Sequence, residues 1–480
     1  MKPAVAPIAL DYIAGALAAD GREVEILDLC FAEDALQALR DYFSGRAVRA
    51  VGLTFRNSDD CFWPSAKSFI PRLTEIVAAV RGLTDAPVVI GGAGFSIFPE
   101  AILGACGCDY GIVGDGEESF VQFLRALDRG GDFSKVPGLV WRPEQRPTRD
   151  PELRIPHSPF RNPPSRPSPV SLAPSRDWVD NRRYFREGGQ GSVETKRGCD
   201  RPCVYCADAL GKGRNLRLRA PEEVAAEIQA LLRKGVDVLH LCDSEFNIPP
   251  EHALAVCRAL IEHGLGARLR WYTYAAVGGF TDELARAMRD AGCAGINFGV
   301  DSANAEMLAG YRRSHRKEDI SSAVRLCRKH GLRVMLDLLL GGPGETEATL
   351  RDTIDFMKEI SPDCVGAALG VRIYPGTAFA ACVLREGDLR SNPNLRHPKG
   401  AQIEGDHPLL SPMFYISEAL GPTPAQLVRD IIGGDPRFFE PVDEQRVENY
   451  NYNDNLPLVE AIRNGARGAY WDILRGLRAH

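Results

Sequence analysis

The hydrophobic pattern divides the chain into two stretches in which strand-like and helix-like runs alternate. Between Glu23 and Gly130 the short apolar runs EVEILDL, AVGLTF, PVVIGG and YGIVGDG are separated by helical stretches such as KSFIPRLTEIVAAVRGL. This alternation predicts a parallel sheet wound with helices. Gly91, Gly92 and Gly114 fall at predicted strand ends, where open α/β sheets place ligands along the carboxyl edge. From Ser192 the alternation returns six times, in SVET, VDVLHL, LRWYTY, GINFGV, RVMLDLLL and CVGAALGVRI. Six strand–helix units predict an incomplete barrel of TIM type.

The fold class read from this pattern is α/β. A Rossmann-like domain covers residues 1–141, a partial (β/α)6 barrel covers 190–378, and a mainly helical C-terminal cap covers 379–480. Residues 142–189 are rich in proline, arginine and serine and have no hydrophobic period, so they read as an extended linker. The cap contains an aromatic, asparagine-rich passage, ENYNYNDNLP, and the helix-like YWDILRGL. Tyr450–Asn455 and Tyr470–Trp471 are candidates for packing the cap on the barrel or closing its site. No repeat of about 20 to 50 residues is present. The opening run is interrupted by Asp11 and lacks an A-x-A-like cleavage site, so Ile8–Ala19 reads as an amphipathic helix rather than a secretory signal. No stretch approaches the ~18 uninterrupted apolar residues of a membrane helix. The chain is expected to be soluble, with no membrane partner.

Composition narrows the class. The hydrophobic share of 44% and charged share of 25% suit a globular enzyme, and 480 residues allow roughly three domains. A net charge of −6 leaves no broad basic field for nucleic acid. The 13 cysteines, an odd number, are scattered mostly singly through apolar segments, the usage of reduced thiols in a cytoplasmic protein.

Three of those cysteines differ. In TKRGCDRPCVYCAD, Cys199, Cys203 and Cys206 lie in C-x3-C-x2-C order directly after the first barrel strand, in a polar turn. A zinc site would call for paired cysteines or a nearby histidine, and the nearest histidines in sequence are His157 and His240. A cubane cluster normally takes four cysteines, so three leave one iron open to another ligand.

With Tyr205 before the last cysteine, this motif resembles the radical S-adenosylmethionine (SAM) superfamily over about Glu194 to Thr377. The resemblance implies a [4Fe-4S] cluster on Cys199, Cys203 and Cys206, with SAM on the open iron. It also implies SAM contacts from Tyr205, from Asp243, Ser244 and Glu245 after the second strand, from Asp301 and Ser302 after the fourth, and from Gly341 and Gly342 after the fifth. Ordinary turn and capping chemistry is the competing account of each. Glu245 carries more weight, because a carboxylate aimed into a barrel mouth needs a cation such as an amino group.

The first domain, through AVGLTFRNSDD, PVVIGGAGFSIFPEAIL and CDYGIVGDGEESF, resembles the cobalamin-binding subclass of these enzymes, which includes a tryptophan methylase type. Arg56, Asn57, Gly91, Gly92, Gly114, Gly116 and Glu117 are the implied cobalamin contacts. Relatives carry a further strand before MKPAVAP, so the sheet is expected to be one strand short or completed otherwise. No histidine precedes His157, so the D-x-H-x-x-G signature of a lower axial ligand is absent. A bound cobalt would then have its lower face open, water-bound or shielded by Arg56 or Asn57; Arg56 keeps its proton and is a poor metal ligand, so it would shield rather than ligate, and an ion pair with Asp59 or Asp60 is its alternative. G-G-A-G-F-S does not fit G-x-G-x-x-G, which argues against NAD.

The function expected is cobalamin-dependent methyl transfer from SAM to a carbon or phosphorus of a small-molecule or peptide substrate, with an electron donor such as a ferredoxin or flavodoxin. Two alternatives stand beside it. One is cobalamin-independent SAM chemistry (rearrangement, oxidation or aminocarboxypropyl transfer) with a vestigial first domain, and the other is a non-catalytic iron–sulfur sensor.

Overall fold

The computed structural model describes residues 3–141, 175–398, 407–442 and 454–478. The first domain is built on β1 (Val51–Thr54), β2 (Val88–Gly91), β3 (Tyr110–Ile112) and β4 (Leu139–Trp141), in that order across the sheet. β1, β2 and β3 are parallel, and β4 returns antiparallel to β3. EVEILDL, expected as a strand, joins no ladder. A strand offers alternate side chains to one face, whereas here Val24, Ile26 and Leu27 pack into three separate apolar clusters.

Ile8–Ala19 is a helix with the expected bounds. Asp11, which interrupts its apolar run, is fully buried. Its carboxylate accepts from Arg176 Nε at 2.7 Å and from the backbone N–H groups of Trp178 and Val179 at 3.0 and 2.9 Å. Arg176, also fully buried, donates to Glu227 Oε1 at 2.8 Å and to the Ser192 carbonyl at 2.8 Å. Glu227 lies on helix Pro221–Arg233 of the barrel. One charged cluster therefore joins the first domain, the end of the linker and the barrel, and removing one member of such a buried set costs about 3–5 kcal/mol. The linker is not extended throughout. Residues 142–174 lie outside the described residues, but Asn181–Gly188 is a helix whose N-cap Asp180 accepts from Arg183 N at 2.9 Å.

The barrel begins with β5 (Gly191–Val193), followed by a hairpin of β6 (Lys196–Arg197) and β7 (Arg217–Leu218). It continues through β8 (Val238–Leu241), β9 (Arg270–Ala275), β10 (Cys293–Asp301), β11 (Arg333–Leu340) and β12 (Cys364–Leu369). CVGAALGVRI breaks at Gly370, after which β13 (Val371–Arg372) forms a small antiparallel sheet with β14 (Leu395–Arg396) and β15 (Phe414–Tyr415). β16 (Phe438–Phe439) is a seventh parallel strand beside β12, giving the order β16-β12-β11-β10-β9-β8-β5. Two residues are too few to show a period, which is why this strand is not apparent in the sequence.

Outward side chains such as Leu239, Trp271, Ile296, Leu336 and Val365 form the core against the surrounding helices. Inward side chains at the amino ends, Val238, Tyr272, Met335 and Cys364, pack on Leu458, Ile462, Trp471 and Leu474 of helices Leu456–Arg463 and Tyr470–Arg478. Tyr272 OH donates to Asp472 at 2.9 Å. Gly295 leaves space for the indole, since a Cβ there would sit 3.0 Å from Trp471. Tyr470 and Trp471 thus plug the barrel at the end opposite the cysteine loop and do not close its mouth. Tyr450–Tyr452 lie outside the described residues, and Asn455 caps helix Leu456–Arg463 by accepting from Leu458 N at 3.0 Å.

Candidate active site

The cysteine loop leaves β6 at the carboxyl edge of the barrel. Gly198 has φ +91°, and a Cβ there would come 2.2 Å from the Asn215 carbonyl oxygen, so only glycine fits ahead of the first cysteine. The loop is then pinned by Cys199 N to Gly213 O at 2.9 Å, Val204 N to Tyr311 O at 3.2 Å and Phe379 N to Val204 O at 3.0 Å. All three cysteines are free and partly exposed. Among the described residues no three His, Cys, Asp or Glu side chains converge as a single-ion site requires. A zinc ion draws its sulfurs to about 2.3 Å from one point, whereas a cubane binds each sulfur to a different iron; the donor set fits the cluster. Burial pushes the Cys199 and Cys206 thiols above their usual range. Arg313 Nη1 donates to Cys203 Sγ at 3.1 Å.

Arg313 joins most of the mouth together. Its Nε lies 3.1 Å from Asp301 Oδ2, its Nη2 donates to the Gly299 carbonyl and stands 3.9 Å from Glu245 Oε1. Asp301, in left-handed backbone at φ 62°, also accepts from Tyr205 OH at 2.6 Å. Tyr205 and Asp301 therefore brace the cysteine loop from behind. Glu245 differs from them: its Oε2 is buried without a partner. Burial raises its carboxyl to about 7 despite Arg313 nearby. A buried acceptor with nothing to bind calls for a cationic partner.

The other expected SAM contacts divide differently. Asp243 is turned away, its carboxylate accepting from Thr195 N at 2.8 Å and Lys196 Nζ at 3.2 Å, which fixes β6 behind the cysteines. Ser244 accepts from Lys212 Nζ at 3.1 Å, within a group completed by Asp208 on the helix after Cys206. Ser302 is a fully buried turn residue bonded to Thr353 Oγ1 at 2.9 Å and Asn304 N at 3.1 Å, as capping chemistry predicts. At Gly342 a Cβ would meet Tyr311, so Gly342 packs closely on that ring, while Gly341 lies against Leu369 and its N donates to Glu345 Oε2 at 2.8 Å. Arg313, Lys212 and Glu345 were not singled out by sequence. Glu345 follows the glycine turn and had a local signal, whereas Arg313, in YRRSHR, had none.

In the first domain, Arg56 and Asn57 follow β1. Gly92, at φ +106°, would place a Cβ 2.6 Å from the Phe55 carbonyl, and Gly94 would place one 2.9 Å from the Arg56 backbone, so this loop lies flat on helix Ala93–Ile97. The alternative ion pair for Arg56 does not form. Asp59 is taken by Arg372 at 3.0 Å, and Asp60 accepts from the Lys67 N–H at 3.0 Å. Arg56 is exposed and its charge reaches into the barrel: burial first, then Arg56, lowers the His240 imidazole to about 4. Gly91 ends β2 on the same edge, and Gly114, φ +86° with open space before it, donates to Ser96 Oγ at 3.0 Å. Gly116 and Glu117 are different. Gly116 packs under Ile13, and Glu117 holds Arg197 through 2.8 and 3.1 Å bonds, which outweigh burial and keep its carboxyl below the usual range. With Asp115 on Arg217 at 3.0 Å, the Glu117 side chain braces the first domain against β6 and β7.

Comparison with known proteins places both halves. Residues 193–357 match the model of the radical SAM superfamily, and residues 2–124 match the B12 binding domain. The tryptophan 2-C-methyltransferase of Streptomyces laurentii is 35% identical over 440 residues, covering 81% of this chain and 74% of that protein. The cytidylyl-2-hydroxyethylphosphonate methyltransferase of Streptomyces wedmorensis is 26% identical over 402 residues, 74% of this chain and 73% of that one. The structure of the radical SAM methyltransferase TsrM from Kitasatospora setae, bound to tryptophan and a SAM analogue, superposes with a TM-score of 0.88 at 31% identity over 100% of this chain and 96% of that one. Among the described residues no helix is long and apolar enough to cross a membrane. A cluster loop whose donors suit a cubane, an orphaned carboxylate beside it and a B12-type sheet edge facing it agree with these relatives: the chain belongs to the cobalamin-dependent radical SAM methyltransferases.

Proposed function

We propose that this enzyme methylates a ring carbon of tryptophan or a closely similar aromatic amino acid. The observation that carries this reading is the barrel interior above the Trp471 plug. There the inward residues His240, Tyr274, Gly299, Asp337, Leu339 and Ala368 are partly accessible, while inward residues nearer the amino ends are buried. Two small positions, Gly299 and Ala368, and two rings, His240 and Tyr274 at 5.0 Å between centroids, leave a slot suited to a flat aromatic. The similarity to tryptophan-acting relatives along most of the chain supports the same substrate class.

When bound, the cluster exchanges single electrons and cobalamin carries a methyl group from SAM to the acceptor. Cys199, Cys203 and Cys206 hold the cluster, Arg313 neutralises its thiolates, and Glu245 Oε2 receives the ammonium of SAM. Arg56 would lie beside the bound cobalamin, where its guanidinium, which keeps its proton, would supply charge rather than a metal-binding lone pair. The sheet edge at Arg56, Asn57, Gly91, Gly92 and Gly114 holds the corrin. Electrons come from a ferredoxin- or flavodoxin-like donor. Anaerobic reconstitution with iron, sulfide and cobalamin, followed by incubation with methyl-labelled SAM and L-tryptophan, tests the reading. Label is expected in the indole product; turnover of SAM with other acceptors and none with any indole would discard it.

A further inference from the structure

Midway up the barrel, polar side chains from four adjacent strands form a continuous belt. His240 on β8 meets Tyr274 on β9, Tyr274 is in register with Asn297 on β10, and Asn297 Nδ2 donates to Asp337 Oδ2 on β11 at 2.7 Å. Among the described residues nothing completes the last pair. Asn297 Oδ1 and Asp337 Oδ1 are both buried and both lack a hydrogen-bond partner. Asn297 is only 5% exposed.

The missing partner is unusual for this protein. Buried Asp11, Asp59, Asp243 and Asp301 each face an arginine or lysine. Among the described residues Asp337 has the Asn297 amide and, further off, the Asp301 carboxylate, and neither supplies positive charge. Leaving a buried acceptor unsatisfied costs about 1–3 kcal/mol, more for a charged one, so two side by side mark a place completed from outside. Position agrees: the pair sits directly above the Trp471 plug, beneath Gly299 and Leu339, in the slot already assigned to the methyl acceptor.

We propose that Asn297 and Asp337 form the seat for the substrate's ammonium group, so that the enzyme selects an amino acid or amine by charge at the barrel floor while its aromatic ring extends toward the mouth. This rests on the reading of an aromatic amino-acid acceptor. An ammonium fits better than a ring N–H because it brings three donors and a charge, enough for both orphaned oxygens. His240, held neutral by burial and the Arg56 charge, does not repel it.

Equilibrium dialysis of anaerobically reconstituted protein against L-tryptophan, tryptamine and indole-3-propionate tests the seat. Tryptophan and tryptamine are expected to bind at least about tenfold more tightly than indole-3-propionate, as a charge-assisted bond requires. In Asp337→Asn that preference should vanish with iron and cobalt contents unchanged, and in Asp337→Glu it should persist. Equal binding of indole-3-propionate by the parent protein, or a preference that survives in Asp337→Asn, overturns the seat and leaves the tryptophan reading intact. If no indole binds, the tryptophan reading fails, and phenethylamine against 3-phenylpropionate judges the seat: an amine preference lost in Asp337→Asn upholds it, and none overturns it.

Discussion

The two ends of the barrel use the same strands for opposite purposes. At the amino ends the inward side chains are apolar or bonded to the plugging helices, and Trp471 fills the space that Gly295 leaves. From the middle upward polar inward residues appear and several positions are partly accessible, and the buried oxygens of Asn297, Asp337 and Glu245 lack hydrogen-bond partners. Strand rigidity is supplied at one end, and unsatisfied chemistry is tolerated at the other, where ligands complete it.

That contrast is open to attack at either end. The largest effect is expected from Cys203→Ala, which should remove bound iron and abolish turnover while melting close to the parent apoprotein, as iron counts and calorimetry would register. Arg313→Met should lower turnover by about 10- to 100-fold, since second-layer partners of cluster ligands commonly have that weight; a cluster assembled and reduced as in the parent would show the residue to be a simple ion pair. A pH effect comes next. The Asp337 carboxyl, raised to about 6 by burial and by Asp301 against the opposing Asn297 bond, must be ionised to hold an ammonium. Amine affinity should therefore be full above pH 7 and fall roughly tenfold per unit below about pH 6, while indole-3-propionate binding should not follow that curve. Trp471→Ala should have the smallest effect on chemistry. It is expected to cost about 3–5 kcal/mol of stability, yet to keep iron, cobalt and ligand preference; altered preference would mean that the floor is not mechanically separate from the site.

The parts legible in the sequence were those whose cause is local. Six barrel strands showed because their outward faces are apolar, and the cluster loop showed because three ligands sit within one turn. EVEILDL looked like a strand because its apolar residues alternate, although they serve three clusters. Arg313 acts on a cysteine 110 positions away, so no local pattern announces it. Asp243 and Glu117 lie beside the expected motifs but face Lys196 and Arg197. Motif position placed them near the site, and only side-chain direction separates a brace from a ligand contact.

The buried set of Asp11, Arg176 and Glu227 makes the two cofactor domains one thermodynamic unit. Whatever is bound by either domain stabilises the whole folded chain by an amount that grows with its free concentration relative to its Kd. Cobalamin loaded on the first domain should therefore delay the melting of the barrel, and the two halves should unfold in a single transition rather than as separable modules.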